Sequence, residues 1–335
     1  MFIGRKQYIG NGGINLKKKL LISIVVIIVA IILVGVFNDN QVKEVPIKGS
    51  EVKGEYMNGF HLKPEVIRYK GVIITFGGSE GGCNGDIAET LAKKGYEVLA
   101  LYYFGKENQQ KVLNEVPIEF FQEVITYMEK ECNSVNPLTI IGGSKGAELA
   151  LVLAEYYDEI DNLVLYAPSS YVFMGLDSNK TASSWTYNGK GLPYIDLINA
   201  SFESIKQVNE EYASNVPMTF RPMYESAIKN SRNKEAARIK VENYKNNIIL
   251  FAGCEDKLWP SDTMAEQIKN KKPKNTDLYL YPNVGHVIGG LAEYDNLKMG
   301  GDVEESQKAK KDSDEKLYKA LKSWHKKIWI FKFKQ

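Results

Sequence analysis

Five residues, Gly142-Gly143-Ser144-Lys145-Gly146, stand between a short apolar run and an alanine- and leucine-rich run. This order predicts a strand, a tight turn and a helix, with the G-x-S-x-G spacing that places a serine on a sharp strand-to-helix turn. A Cβ at Gly142 or Gly146 would crowd such a turn. The helix would point its first N–H groups at negative charge beside Ser144 Oγ. The turn therefore predicts a nucleophilic serine; the alternative is a glycine-rich turn with an incidental serine.

Strand and helix patterns alternate around this turn from Gly71 onward. Such alternation predicts an α/β fold whose mostly parallel sheet is covered by helices on both faces. Apolar runs predict strands at 71–76, 96–103, 138–141, 162–168, 247–253 and 277–282, and helices are predicted at 86–94, 117–131, from about 261, and at 312–330.

Residues 169–245 interrupt this alternation for longer than an ordinary connection. Their position after the strand that follows the serine turn predicts a cap insertion. Its aromatic residues either line an apolar acyl pocket or pack a small core of the cap itself. These residues are Trp185, Tyr187, Tyr194, Phe202, Phe220 and Tyr224.

An uninterrupted uncharged stretch at 20–37 has the length of a membrane-spanning helix. Four lysines and one arginine precede it. The positive-inside bias therefore predicts a single-pass cell-membrane protein with a cytoplasmic N-terminus and an extracytoplasmic catalytic domain. A cleaved signal peptide is the alternative, although no small-x-small site follows the stretch. The predicted organisation is a basic tail at 1–19, a transmembrane anchor at 20–37, a tether at 38–55 and a catalytic domain at 56–331.

A nucleophilic serine requires a base and an orienting carboxylate. His286 follows the last predicted strand, on a loop at the carboxyl edge of the sheet. The loop after the preceding strand offers Glu255, Asp256 and Asp262. Asp262 opens a helix, where a carboxylate is commonly a cap, so Asp256 is the preferred acid and Glu255 the reserve. The order Ser144, Asp256, His286 is the order found in the α/β-hydrolase fold.

A second glycine-rich turn, FGGSEGG at 76–82, follows the first predicted strand of the alternation. It lacks the G-x-G-x-x-G spacing of a dinucleotide site. Upstream of a serine turn, it fits one half of an oxyanion hole, in which the backbone N–H groups of Gly78 and Ser79 would join that of Lys145. The alternative is a purely structural turn.

Composition excludes several other classes of function. A formal net charge of +2 gives no reason to expect a nucleic-acid partner. Cys83, Cys132 and Cys254 are widely spaced and form neither a metal-ligand pattern nor a disulfide framework. No metal and no cofactor is expected. His61 is interpreted as a surface residue, and His325 as a surface or packing residue.

From about Gly71 to Lys327 the chain resembles the catalytic domain of the acyl-CoA thioesterase and bile acid-CoA:amino acid N-acyltransferase family. The stretches that carry the resemblance include FGGSEGG, GGSKGAELAL, SSWTYNGKGLPY, GCEDKLWPS and YPNVGH. It implies a Ser/Cys–Asp–His triad that acts on an acyl thioester, with Ser144, Asp256 and His286 on the three positions. Animal members carry a β-sandwich domain before the catalytic one, where this sequence has the apolar stretch and the tether.

The expected function is that of a membrane-anchored serine hydrolase, which cleaves an acyl thioester or ester through an acyl-enzyme. Its partners would be a small-molecule acyl substrate and the membrane. Coenzyme A esters are expected to be scarce outside the membrane, so an extracytoplasmic carboxylesterase or lipase-like activity, or acyl transfer from a non-CoA substrate, is an alternative. A non-catalytic binding protein on the same fold is the alternative from another class.

Overall fold

The computed structural model describes residues 47–328. The predicted basic tail, the predicted transmembrane anchor and the first part of the predicted tether therefore lie outside the described residues. Between residues 47 and 328, no helix is both long enough and apolar enough to cross a membrane.

An eight-stranded sheet forms the centre of the described chain, with the strand order β1-β2-β4-β3-β6-β7-β10-β11. The first two strands pair antiparallel to each other, and β2 pairs antiparallel to β4; all other neighbours are parallel. This confirms the predicted mostly parallel sheet. Its strands are β1 (Ser50–Lys53), β2 (Asn58–Leu62), β3 (Val72–Phe76), β4 (Glu97–Tyr102), β6 (Leu138–Gly143), β7 (Asn162–Tyr166), β10 (Asn247–Gly253) and β11 (Thr276–Tyr281).

Five short strands lie outside the central sheet. They pair as β5-β8-β9 and as β12-β13. Their bounds are β5 (Val116–Pro117), β8 (Trp185–Tyr187), β9 (Lys190–Gly191), β12 (Glu293–Tyr294) and β13 (Leu297–Lys298). Strand β1 of the central sheet lies inside the segment assigned to the tether at 38–55, so the sheet begins earlier than the sequence predicts.

Helices cover both faces of the central sheet. Alternate residues of β3 face opposite sides: Ile74 packs in the cluster that contains Phe121 and Leu149, and Ile73 in the cluster that contains Leu91 and Leu317. Burial on both faces explains why the parallel strands are continuous apolar runs. The helices are α1 (Gly85–Lys94), α2 (Phe120–Glu131), α3 (Lys145–Tyr156), α4 (Phe202–Ala213), α5 (Arg221–Asn230), α6 (Lys234–Ala237), α7 (Ser261–Lys271) and α8 (Val303–Trp324).

The bounds of the last helix differ from the prediction of 312–330. Helix α8 begins at Val303, because the Asp302 side chain caps it by accepting a hydrogen bond from Glu305 N at 2.9 Å. Its first turns, VEESQKAKK, carry few apolar residues, so the hydrophobic period that reveals a helix is weak there.

The chain between β7 and β10 forms an insertion, here defined as residues 167–246. It contains β8, β9 and helices α4 to α6. Phe220 and Tyr224 pack in a separate apolar cluster together with Trp259, whereas Trp185 packs in the cluster of the central sheet. Three of the candidate pocket residues, Trp185, Phe220 and Tyr224, are therefore buried packing residues. Tyr187 and Phe202 are exposed.

His325, interpreted as a surface or packing residue, is a buried packing residue, and His61, interpreted as a surface residue, is also buried. His325 Nδ1 donates to Lys70 O at 2.7 Å, its Nε2 is hydrogen-bonded to Thr139 Oγ1 at 2.8 Å, and burial lowers the pKa of the imidazole. It ties the end of α8 to the start of β6. His61 is 2% exposed, which corrects its interpretation as a surface residue.

Candidate active site

Ser144 lies on a sharp turn between β6 and α3. Its backbone has φ 52° and ψ −117°, a conformation that is rare for a residue with a side chain. A hydrogen bond of 2.9 Å from Ser144 N to Tyr166 O helps to hold this conformation. A Cβ at Gly142 would lie 2.4 Å from Gly146 O, so glycine is required there. The predicted strand–turn–helix arrangement is present.

The turn at 77–82 packs directly against the Ser144 turn. A Cβ at Gly146 would lie 2.1 Å from Gly77 O, and a Cβ at Gly78 would lie 3.3 Å from Ser144 Cβ. The first distance is impossible for a real side chain, so the two backbones approach this closely only because residue 146 is glycine. The structure thus places the second glycine-rich turn beside the serine, as the oxyanion-hole prediction requires.

Asp256 and His286 form a buried pair on the loops that follow β10 and β11. Asp256 Oδ2 accepts a hydrogen bond from His286 Nδ1 at 2.8 Å and another from Ser261 Oγ at 2.6 Å. Oδ1 accepts from the backbone N–H groups of Leu258 at 2.9 Å and Trp259 at 3.2 Å. Four donors therefore fix the carboxylate, and the carboxylate in turn places the Nδ1 proton and orients the imidazole.

The two other carboxylates of the Asp256 loop have different partners. Glu255 is half exposed and binds Lys257 Nζ at 2.7 Å. Asp262 pairs with Arg221 Nη2 at 2.9 Å. Arg221 also donates to Asp256 O at 3.1 Å, so a helix of the insertion is attached to this loop. In the described chain, Asp256 is the member of this trio that contacts His286.

Ser144, Asp256 and His286 follow β6, β10 and β11, and these strands run parallel in the same half of the sheet. All three residues therefore lie at the carboxyl edge, where open α/β sheets bind ligands. Among the hydrogen bonds of residues 47–328, none involves Ser144 Oγ. In this conformation the serine is not yet hydrogen-bonded to the pair, as is common before substrate binds.

The predicted oxyanion donors differ in their availability. Gly78 N donates to Glu80 Oε1 at 2.7 Å, so that N–H is occupied in this conformation. Gly78 O accepts a hydrogen bond from Tyr103 Oη at 2.6 Å, which helps to fix the Gly78–Ser79 peptide unit. Within the described residues, the N–H of Ser79 makes no hydrogen bond. Lys145 is the first residue of α3, where helix N–H groups lack an intrahelical partner.

The Lys145 side chain belongs to a buried polar network that sequence reasoning missed. Its Nζ contacts both oxygens of Glu148 at 2.8 Å, and both residues are buried. Glu148 Oε1 also accepts from Phe173 N at 3.1 Å and from Trp185 Nε1 at 2.8 Å. Phe173 and Trp185 belong to the insertion. The network therefore joins the helix that follows Ser144 to the insertion.

Burial raises the pKa of the Glu148 carboxyl and lowers that of the Lys145 ammonium. The hydrogen-bond pattern nevertheless favours the ionised carboxylate, because every partner of Glu148 is a donor and a carboxyl proton would find no acceptor. The Lys-x-x-Glu spacing at 145 and 148 could have suggested an i,i+3 pair. Sequence alone gives no sign that it would be buried or that Trp185 would bind it.

Two solved structures have folds similar to that of the described chain. An esterase from Pyrococcus furiosus has a TM-score of 0.50 at 16% identity, over 84% of this chain and 92% of that one. An acylaminoacyl peptidase from Pyrococcus horikoshii has a TM-score of 0.52 at 14% identity, over 87% of this chain and 44% of that one. At these identities the likeness shows the fold alone, which is the α/β-hydrolase fold.

The family described as "BAAT / Acyl-CoA thioester hydrolase C terminal" matches residues 116–290, just over half of the chain. The chain therefore belongs to this family, as its sequence motifs predict. Human acyl-coenzyme A thioesterase 1 is 26% identical over 252 residues, and mouse bile acid-CoA:amino acid N-acyltransferase is 26% identical over 257 residues. Each match covers 74% of this chain and 54% of the relative. The chain thus spans about half the length of the relatives it matches.

Glu148→Gln tests whether the buried network stabilises the fold. The substitution keeps the shape of the side chain but leaves the buried Lys145 ammonium without a counter-charge. Loss of one partner of a buried ion pair costs about 3–5 kcal/mol, and we expect the free energy of unfolding from denaturant titration to fall by that amount. The matched control is Glu210→Gln, because Glu210 forms an exposed pair with Lys206 and should leave stability nearly unchanged. Equal stability of the two variants would contradict the structural role.

Proposed function

We propose that this protein is a serine hydrolase that cleaves an acyl thioester or ester through an acyl-enzyme. The observation that carries the proposal is the buried His286–Asp256 pair, with a 2.8 Å hydrogen bond, at the same sheet edge as a serine held at φ 52°. A strained serine turn and a carboxylate-oriented imidazole are the two parts that nucleophilic catalysis by serine requires. The non-catalytic alternative gives no reason for either.

In the proposed mechanism, Ser144 Oγ attacks the acyl carbonyl carbon while His286 Nε2 takes the hydroxyl proton. The Nδ1 proton stays on His286 and is held by Asp256, whose negative charge stabilises the imidazolium. Collapse of the tetrahedral intermediate releases the thiol or alcohol, which receives the proton from Nε2. Water then attacks the acyl-enzyme by the same steps and releases the acid. For the first step, the Ser144 side chain must move into hydrogen-bond distance of His286.

The N–H groups of Ser79 and Lys145 are the proposed donors to the oxyanion, one from each of the two turns that meet at Gly146 and Gly77. They would donate to the carbonyl oxygen as it becomes negative. Gly78 N–H could join them only after Glu80 releases it. The α3 dipole adds to the stabilisation, because Lys145 is the first helical residue.

The proposed substrate class is supported by the family, whose description names acyl-CoA thioester hydrolases. The two named relatives are a thioesterase and an N-acyltransferase, so both activities are candidates for this chain. Acyl transfer to an amine is therefore the second candidate. The third, an extracytoplasmic ester or non-CoA thioester, depends on the predicted membrane anchor at 20–37.

Ser144→Ala should abolish hydrolysis without unfolding the protein. We expect kcat on p-nitrophenyl esters or acyl-CoAs to fall by at least about 10⁴-fold, since only binding and the oxyanion hole would remain. The matched control is Ser134→Ala, because Ser134 lies before β6, at the opposite edge from Ser144, and bonds only its local backbone. A fluorophosphonate probe should label the wild type and the control but not Ser144→Ala. Near-normal turnover of Ser144→Ala would exclude Ser144 as the nucleophile.

The identity of the nucleophile, serine rather than cysteine, also predicts the main product of the reaction. Amines favour thioesters over oxyesters far more than water does, so an oxyester on Ser144 should be hydrolysed even when glycine or taurine is in excess. We expect mass spectrometry to find free acid as the main product, with little amide. Ser144→Cys should raise the amide fraction, because its acyl-enzyme is a thioester. A dominant N-acyl amino acid from the wild type would favour the acyltransferase.

We propose that residues 20–37 anchor the protein in the cell membrane with the catalytic domain outside. Protease added to intact cells should then degrade the catalytic domain and spare the N-terminal tail. Transfer of the lysines at 17–19 to the other side of the apolar stretch should weaken or invert this topology. A domain that stays protected until the cells are lysed would face the cytoplasm, and acyl-CoA would then become the leading substrate.

A further inference from the structure

His61, Glu97 and Cys132 converge at a place far from Ser144. One possible ligand atom from each residue lies within 4.8 Å of the other two. His61 Nε2 lies 3.1 Å from Glu97 Oε1 and 3.9 Å from Cys132 Sγ. We propose that these three side chains form a structural zinc site.

The orientation of the imidazole favours a cation over a catalytic relay. In a nucleophile–base–acid triad, the nucleophile and the acid bind opposite ring nitrogens. Here both Cys132 Sγ and Glu97 Oε1 face the same nitrogen, Nε2 of His61. A carboxylate oxygen and a thiol sulfur that both lie near one ring nitrogen can share a cation with that nitrogen.

The two separations measured from His61 Nε2 are close to those in tetrahedral zinc sites. With Zn–N and Zn–O bonds of about 2.1 Å and a Zn–S bond of about 2.3 Å, tetrahedral geometry separates N from O by roughly 3.4 Å and N from S by roughly 3.6 Å. The observed separations of 3.1 Å and 3.9 Å differ from these values by a few tenths of an ångström. Imidazole, carboxylate and thiolate are all zinc ligands, and thiolate disfavours magnesium and calcium.

Two of the three proposed ligands, His61 and Glu97, have an outer partner of the kind that metal sites use. Tyr127 Oη lies 3.0 Å from His61 Nδ1, so the ring nitrogen that would not bind zinc is already hydrogen-bonded. Asn133 N donates to Glu97 Oε2 at 3.0 Å and Asn133 Nδ2 to Oε1 at 3.4 Å, so Asn133 holds the carboxylate in place. Cys132 is only partly buried, so water can reach the site and supply the fourth ligand.

The charges of the proposed site also balance. A thiolate and a carboxylate neutralise one Zn²⁺, with His61 neutral. Zinc binding would displace the thiol proton of Cys132, as is usual for cysteine ligands.

The position of the cluster indicates a structural rather than a catalytic role. Glu97 opens β4 and pairs with Val72, which pairs with Leu138 at the start of β6. Ser144 follows the other end of β6, roughly 20 Å away at 3.3 Å per residue. His61 lies on β2 and Cys132 caps α2, so a zinc ion would fasten the antiparallel edge of the sheet to the helix beneath it.

The test uses the full-length chain in detergent, stripped of metal with a chelator and dialysed against zinc. We expect inductively coupled plasma mass spectrometry to find one zinc per chain. The Tm of the protein should be higher with zinc than without it. Cobalt in place of zinc should give a thiolate-to-cobalt charge-transfer band. Zinc content near zero together with an unchanged Tm would overturn the proposal and leave an ordinary buried ion pair beside a thiol.

Variants assign the metal to this cluster. Cys132→Ser and His61→Asn should lose the stoichiometric zinc, and Cys132→Ser should lose the cobalt band. Tyr127→Phe should weaken zinc affinity by about 10–100-fold, because it removes only the outer partner of His61. Cys254→Ser is the matched control and should bind zinc like the wild type. Equal zinc binding by all four variants would place the metal elsewhere and overturn the proposal.

Circular dichroism checks that each variant is folded. If a ligand variant does not fold, Tyr127→Phe provides the test in its place.

Discussion

The close backbone contact between two glycine-rich turns is the constraint on which the proposed active site depends. A Cβ at residue 146 would lie 2.1 Å from Gly77 O, so no side chain other than hydrogen fits there. The contact holds together the two turns that contain the proposed oxyanion donors, the N–H groups of Ser79 and Lys145. It also requires β3 and β6 to be neighbours, which the sheet order provides. The geometry of the proposed active site therefore depends directly on the order of the strands in the sheet.

The buried Lys145–Glu148 pair couples this contact to the insertion. Lys145 supplies a proposed oxyanion N–H through its backbone, and its side chain holds the carboxylate that binds Trp185 and Phe173. Such a pair offers little net stability over apolar residues, but loss of one partner leaves a buried charge. The insertion is thus held in register with the serine turn by a polar network rather than by apolar contacts alone.

Much of the fold followed from local patterns. Apolar runs and their glycine boundaries located the parallel strands, as with β10 at Asn247–Gly253. The order of Ser144, Asp256 and His286 placed them on loops at one sheet edge, and the structure brings the last two together. The burial of Glu148 and of His61 could not be predicted, because each depends on partners distant in the sequence. The hydrogen bond from Gly78 N–H to the Glu80 carboxylate could not be predicted either, since it depends on one side-chain conformation.

The three histidines show why a residue type at a given position does not define a function. All are buried and hydrogen-bonded, and two contact a carboxylate. In His325 both nitrogens bond groups of the fold, so the ring is a packing residue. His286 bonds Asp256 through Nδ1, which leaves Nε2 available for the proposed proton transfer from Ser144. In His61, Nε2 faces both a carboxylate and a thiol, so it is suited to a shared cation. Two features therefore distinguish the packing role of His325 from the proposed roles of the other two histidines. They are the ring nitrogen that each partner contacts and the edge of the sheet at which each histidine lies.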